Sequence, residues 1–331
     1  MSIAVIGAGA WGTAFAIHLA RTGKQVLLWV YEEELCEVLK KTRENRDFLP
    51  GFKLSESIHF TTSLEEIAAY SDDIVIAMPS FALRGTLKKI APILASKNLL
   101  VLTKGIERGT FLGMSGVIAE LVDGKADQIA ILSGPSFAKE VAHGAFTASV
   151  VASRNKHLAQ YFQQMVHSDS FRIYISDDVT GVGLGGTLKN VMAIGAGVIE
   201  GLRLGTNTQA AFVTRALAEM KRLGKALGAK ETTFMGLSGM GDLILTSYGN
   251  LSRNRLFGME LAKGKKAQDI IDSQKNVVEG YYATDAAHNL SKKLNIEMPI
   301  TEELYKILYE GKDIKTSLQD IIRREFKEED Y

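Results

Sequence analysis

Along the first half of the chain, short apolar runs alternate with stretches in which apolar residues recur every three or four positions. The runs "IAVIG" (3–7), "QVLLWV" (25–30), "DIVIAMP" (73–79), "LLVLTKG" (99–105) and "IAILSGP" (129–135) are apolar at consecutive positions, the pattern of strands buried on both faces. Helical spacing lies between several of them, at 11–21, 33–43, 82–95 and 114–122. "SLEE" (63–66) has the form of a capping box opening a short helix before the third run. This alternation predicts a parallel sheet covered on both faces by helices. Two more strand-like runs, 147–153 and 171–176, flank a helical 155–167 and extend the sheet, in a direction the pattern leaves open. After Ser176 the strand signals nearly vanish. Residues 181–201, 206–227, 253–262, 280–294, 301–310 and 316–326 read as helices; in 206–227, Ala210, Val213, Leu217, Met220 and Leu227 share one face. The expected organisation is an α/β doubly wound sheet over residues 1–180 followed by an all-α domain over 181–331.

The first strand runs straight into "GAGAWG" (7–12), which opens a helix. In that context the glycines describe a dinucleotide-binding turn: Gly7 for the tight bend, Gly9 for close approach of a pyrophosphate, Gly12 for helix–strand packing. The helix N-terminus offers free N–H groups and a positive dipole end to the phosphates. The second strand ends in "WVYEEE" (29–34), and Glu32 stands 20 residues after Gly12, where a carboxylate can bond a ribose 2′-hydroxyl. A 2′-phosphate would require a basic residue there, so NADH is the expected cofactor over NADPH. Tyr31 is placed to stack on the adenine. Alternatively, Glu32–Glu34 serve only the start of the next helix.

Composition narrows the class. A net charge of +1 gives no nucleic-acid footprint and no membrane-seeking field. The single cysteine, Cys36, forms no intramolecular disulfide and fits a reducing compartment. No secretory signal pattern opens the chain, and the charge-poor stretch 179–199 is broken by glycines, Lys189 and Asn190, a poor membrane span. A cytoplasmic protein is expected. The histidines show no metal-ligand spacing, and no hydrolase, zincin or Walker pattern occurs.

Candidate chemistry lies at the strand ends and in the helical half. Met78, Pro79, Ser80, Lys104, Gly134 and Ser136 fall at the carboxyl ends of predicted parallel strands, where ligands bind in such sheets; Lys104 is alternatively a solvated loop lysine. Lys189 is the only ionisable side chain between Leu184 and Ile199. Its helical neighbours Gly185, Gly186, Met192 and Ala193 are mostly small, whereas Thr187, Val191, Ile194 and Val198 face away. That pattern leaves room for a small ligand beside an ammonium; a snorkelling lysine at a domain seam is the plain alternative. "GLSGMGDLILTS" (236–247) carries Asp242 into a helix, and in "YGNLSRNR" (248–255) Ser252 is an N-cap ahead of Arg253 and Asn254. A cap hydroxyl, free helix N–H groups and a guanidinium form an oxyanion or phosphate site, or else a surface basic cluster.

The ordered set "GAGAWGTAFA", "TKGIE", "SGPSFAKEV", "LKNVMAIGAG", "NTQAAFVTRALAEM", "SGMGDLILT" and "SRNR" resembles the NAD(P)-dependent glycerol-3-phosphate dehydrogenases of bacterial type. The resemblance implies a Rossmann-type domain followed by a helical domain, usually as a homodimer. It implies reversible reduction of dihydroxyacetone phosphate to sn-glycerol 3-phosphate with NAD(P)H, feeding phospholipid synthesis. By motif, Lys189 is the proton donor or acceptor, and Lys104 contacts cofactor and substrate. Gly134, Ser136, Asp242, Ser252, Arg253 and Asn254 line the substrate. Ala10, Trp11, Tyr31, Ala138, Arg253, Val277 and Glu279 border the cofactor. Tyr31-Glu32 departs from many bacterial members, which carry a basic residue or histidine there, and looks more like the eukaryotic NAD-linked enzymes. Burial and Lys104 would lower the Lys189 pKa while Asp242 raises it, with a net lowering expected. Two rival functions share part of this pattern: a β-hydroxyacid or ketopantoate-type reductase, which needs a carboxylate site, and an NAD(H)-binding sensor without turnover.

Overall fold

The computed structural model describes residues 1–273, 277–325 and 328–329. One sheet is built from β1 (Ser2–Ile6), β2 (Gln25–Trp29), β3 (Ile58–Thr61), β4 (Asp73–Ile76), β5 (Asn98–Val101), β6 (Ile129–Ser133), β7 (Thr147–Ala152) and β8 (Phe171–Ser176). Their spatial order is β3-β2-β1-β4-β5-β6-β7-β8. Neighbours are parallel except β6 and β7, which run antiparallel. The direction left open by the pattern is thus settled: β7 enters antiparallel to β6, and β8 runs parallel to β7. The chain leaves β1 toward β2 and β3, then returns across to β4, so strand order switches beside β1. In open α/β sheets that is where a crevice opens at the carboxyl ends of the strands.

Alternation along each strand explains why both faces are covered. In β1, Ile3 and Val5 join the core on one side of the sheet, while Ala4 and Ile6 join the core on the other. Leu100 and Leu99 of β5 divide the same way. The first core includes the helices Ala10–Arg21 and Lys156–Val166; the second includes Leu64–Tyr70, Ser80–Leu87 and Met114–Leu121. Each fully buried Leu or Ile adds roughly 1.5–3 kcal/mol of hydrophobic stabilisation.

β3 was not expected from the pattern: "IHFT" is four residues long at a sheet edge, and His59 is exposed. The helix expected over 82–95 is divided into Ser80–Leu87, a 3₁₀ turn Lys88–Ile90 and Ala91–Leu94, with Pro92 near the start of the last piece. The capping box is half made. Ser63 Oγ accepts the Glu66 N–H at 3.0 Å, but the Glu66 carboxylate turns to Thr61 Oγ1 at 2.5 Å instead of reaching back.

No linker separates sheet from helices. Two residues after β8, Asp178 caps the helix Val179–Gly201 by accepting the Gly181 N–H at 2.8 Å. This helix is long and apolar enough to cross a membrane, yet it is almost wholly buried within the protein. Around it pack Thr206–Ala226, Asp242–Tyr248, Arg253–Ala262, Glu279–Lys293 and Pro299–Tyr309. The final helix covers Ile314–Ile322, and Phe326, the end of the expected 316–326 helix, lies outside the described residues.

Candidate active site

The glycine turn leaves β1 and enters the helix Ala10–Arg21 with Gly9 at its N-cap and no side chain capping it. The three glycines do different work. Gly7 has φ +117°, and a Cβ there would sit 2.6 Å from the Ala77 carbonyl oxygen. At Gly12 a Cβ would fall 1.9 Å from the Gly7 oxygen. Around Gly9, by contrast, a Cβ would meet nothing within 4 Å. Packing thus demands glycine at 7 and 12, whereas the side of Gly9 where a Cβ would point is open space beside the positive end of the helix. Asn45, fully buried, fixes the turn from outside by donating to the Ala8 carbonyl and to Thr13 Oγ1, both at 2.8 Å. Asn45 lies far from the motif in sequence and carries no local signal.

Ala10 and Trp11 form the first helical turn, and Trp11 packs edge-on against Phe15 at 5.7 Å. Tyr31 is 74% exposed just beyond β2, edge-on to Trp29 at 5.9 Å. Glu32 is exposed at the N-cap of the helix Glu33–Thr42, with no capping bond from its side chain. Its carboxylate is therefore free to meet a ligand.

Across the crevice, Lys189 is 7% exposed and Asp242 fully buried. Lys189 Nζ donates to Asp242 Oδ1 and, at 2.8 Å, to Thr246 Oγ1. Lys104, arriving from beyond β5, donates to the other carboxylate oxygen at 2.7 Å. One buried carboxylate thus holds two ammonium groups. Burial pushes the Lys189 pKa down to about 7, against the pull of Asp242 and helped by the like charge of Lys104. Thr246 was missed in the sequence, although it sits one helical turn after Asp242 and so on the same face.

The glycines beside Lys189 serve a different purpose from the one expected. A Cβ at Gly185 would strike the Ser238 carbonyl at 2.4 Å. At Gly186 it would meet Ser133 Oγ at 2.4 Å and the Lys104 Cδ at 3.3 Å. These notches are filled by the protein itself; Gly186 is the gap through which Lys104 reaches Asp242. Nor does Lys189 snorkel to solvent.

Ser252 caps Arg253–Ala262 by accepting the Arg255 N–H at 3.2 Å. Asn254 is committed internally: it donates to Asn190 Oδ1 and accepts from the Gly280 N–H, each at 2.9 Å. Arg255 is buried in an ion pair with Glu200 and stands outside the basic cluster. Arg253 is exposed and donates to the Val277 carbonyl at 3.2 Å. Glu279 accepts from the Ser80 N–H at 3.2 Å and the Ser80 hydroxyl at 2.7 Å, tying the helical half to the start of the helix after β4. Burial raises its carboxyl pKa. Ser136 Oγ donates to the Gly134 carbonyl at 2.9 Å, and Ala138 begins the helix Ala138–His143. Asn190 was not singled out as a site residue from the sequence, because it joins the site only through Asn254, distant in the chain; Ser80, expected at a strand end, is held there by Glu279.

Comparison with known proteins decides the family. The family described as NAD-dependent glycerol-3-phosphate dehydrogenase N-terminus matches residues 2–159, and its C-terminus counterpart matches residues 178–319. The chain belongs to the NAD-dependent glycerol-3-phosphate dehydrogenase family. A glycerol-3-phosphate dehydrogenase (NAD(P)+) from Syntrophotalea carbinolica is 45% identical over 331 residues, 99% of each chain. Its counterpart from Geobacter sulfurreducens is 46% identical over 329 residues, 99% of this chain and 98% of that one. The crystal structure of glycerol-3-phosphate dehydrogenase from Coxiella burnetii superposes with a TM-score of 0.94 at 38% identity, covering 98% of this chain and 99% of that chain. The glycerol-3-phosphate dehydrogenase family is an oxidoreductase family dependent on NAD(P), so the sensor and the carboxylate-substrate reductases give way to it.

Proposed function

We propose that Lys189, held by Asp242 and Thr246 opposite the glycine turn, is the proton-transfer residue of this dehydrogenase. The reaction is NAD(P)H-dependent reduction of dihydroxyacetone phosphate to sn-glycerol 3-phosphate, and it is reversible. When bound, the nicotinamide supplies the hydride. As the ketone is reduced its oxygen gains negative charge, and the Lys189 ammonium stabilises that charge and delivers the proton. A donor with a pKa of about 7 gives up a proton and regains it at neutral pH. The observation that carries this reading is the pairing of two ammonium groups with one enclosed carboxylate: Asp242 keeps Lys189 from losing its proton entirely in a buried setting. Lys104, shared between the halves of the chain, is assigned to cofactor and substrate.

The substrate phosphate is assigned to Arg253 and the Ser252 helix end, with Gly134, Ser136 and Asn254 lining the substrate and Asn254 acting by holding Asn190 and residue 280 in place. Phosphate binding away from the reacting carbon provides positioning energy for the ketone. The cofactor is assigned to Gly7, Gly9, Ala10, Trp11 and Gly12, with Tyr31, Glu32, Ala138, Val277 and Glu279 around it. Glu32 supports NADH over NADPH, since its exposed carboxylate suits a ribose hydroxyl and repels a 2′-phosphate. A cytoplasmic homodimer supplying phospholipid synthesis completes the proposal, on the family resemblance.

Loss of NADH absorbance with dihydroxyacetone phosphate tests the centre. Wild type turns over, and a folded Lys189→Ala loses roughly 10²–10⁴-fold in kcat. Wild-type kcat in that variant would end the assignment. Equal or better kcat/KM with NADPH would remove the cofactor preference.

A further inference from the structure

Lys104 is carried by a loop that touches both halves of the molecule. Gly105, its neighbour, lies against Ser80: a Cβ there would sit 2.5 Å from the Ser80 Cβ. Ile106 then crosses over and is buried in the core of the helical half. The loop closes on itself where the Glu107 N–H donates to the Leu112 carbonyl at 2.8 Å and the Phe111 N–H donates to the Glu107 carbonyl at 3.0 Å. Two consecutive side chains then grip opposite halves. The Glu107 carboxylate accepts the Nε–H and an Nη–H of Arg84, each at 2.8 Å, from the helix Ser80–Leu87. Arg108 reaches the helix Glu279–Lys293 instead. Its Nε lies 2.9 Å from an Asp285 carboxylate oxygen, and its guanidinium lies 5.3 Å from the centre of the Tyr282 ring. Tyr282 and Asp285 are three residues apart, so they share one face of that helix. Arg108 also donates to the Tyr309 hydroxyl at 3.1 Å.

The helix that Arg108 grips is the one whose first residues serve the site. Glu279 holds Ser80, and the Gly280 N–H donates to Asn254. Arg108 is half-exposed, with its side chain 51% accessible, and an ion pair in such a setting adds little to stability. Three partners on two helices, four residues from Lys104, give it a geometric role instead. We propose that Arg108 is a positioning residue: by clamping the loop onto Glu279–Lys293 it sets the reach of Lys104 to Asp242, and so keeps the second ammonium beside Lys189. The proposal rests on the assignment of Lys189 and Lys104 to the dehydrogenase reaction. The charged groups facing Lys189 are Asp242 and Lys104. If Lys104 withdraws, a like charge leaves and Asp242 is left to Lys189 alone; both changes raise the Lys189 pKa.

Reductive methylation of the full chain, read at Lys104 by peptide mass spectrometry, follows the loop without any turnover. Lys104 is expected to methylate several-fold faster in Arg108→Ala, and also in Asp285→Asn, which removes the partner and keeps the arginine. Lys230→Ala is the reference: it breaks another exposed ion pair between the halves, Lys230 with Asp177 at 2.7 Å, and leaves Lys104 at the wild-type rate. In the NADH assay Arg108→Ala loses roughly 10–100-fold in kcat/KM for dihydroxyacetone phosphate, at a Tm close to that of Lys230→Ala. Its kcat/KM limb, which in wild type falls as pH rises through about 7, moves to higher pH. Arg108→Lys, which keeps a cation beside Asp285, recovers much of the loss. Wild-type methylation of Lys104 in Arg108→Ala overturns the proposal. So does a loss of kcat/KM that leaves the pH limb in place. Failure of the proton-transfer assignment shows separately, as wild-type kcat in Lys189→Ala, and leaves the methylation result standing.

Discussion

Removing the Asp242 charge leaves two ammonium groups facing each other with no counter-ion, and the chemistry of Lys189 should register it. Burial and Lys104 lower the Lys189 pKa, and Asp242 is the influence that raises it. Reduction of the ketone needs protonated Lys189, so kcat/KM for dihydroxyacetone phosphate falls as pH rises through about 7. Oxidation of glycerol 3-phosphate needs the neutral amine and falls as pH drops through the same region. In Asp242→Asn both limbs move to lower pH, and at neutral pH reduction loses more than oxidation. Profiles of kcat/KM against pH in both directions check this; limbs that stay in place would show that Asp242 does not set the Lys189 proton. At this scale the sequence was informative about Lys189 and Lys104, because an isolated lysine in an apolar helix and a lysine at a strand end are local signals. It could not show that both meet Asp242. That convergence depends on Gly186, whose missing side chain lets Lys104 through, and on a packing of three elements that no local pattern encodes.

The glycine turn separates packing from binding within one element. Gly12→Ala places a methyl against the Gly7 carbonyl oxygen, which pushes the helix away from the turn. Its cost is on the order of 1–3 kcal/mol, read as a lower Tm, with NADH affinity falling alongside. Gly9→Ala meets no protein atom within 4 Å and has an ordinary negative φ of −67°. Its Tm should therefore stay at the wild-type value while the Kd for NADH rises about tenfold or more. Thermal melts and fluorescence titration of the two variants decide the point: an unchanged Kd in Gly9→Ala would mean that the pyrophosphate does not lie over that residue. Strands with apolar residues on both alternations and helices with long apolar stripes were legible from their periods, since burial on two faces or on one leaves a regular trace. β3 left none, being four residues at an edge with His59 turned to solvent. The antiparallel entry of β7 was equally invisible, because side-chain alternation is the same in either strand direction.

The long helix Val179–Gly201 binds the halves of the molecule into one folding unit. Val182, near its start, belongs to the core against the sheet, and Leu184, Leu188 and Val191 belong to the core of the helical half. Its later turns meet Arg253–Ala262 so closely that Gly197 and Gly258 each touch the opposing backbone: a Cβ at either would lie 2.0 Å from a carbonyl oxygen, of Arg255 and Ile194 respectively. Glu279 with Ser80, and Arg108 with Asp285 at 2.9 Å, add polar ties between the halves. A helix shared by two cores transmits loss of packing to both. Leu188→Ala, at a fully buried position, should cost about 2–5 kcal/mol. Its effect can be followed by two probes, because both tryptophans, Trp11 and Trp29, lie in the sheet half, whereas far-ultraviolet circular dichroism is weighted toward the helical half. The expected outcome is a single transition whose midpoint drops equally by tryptophan fluorescence and by circular dichroism. A drop confined to the dichroism signal would mean that the sheet half holds its fold without the helix, and that the crevice between the halves is an assembly of two independent units.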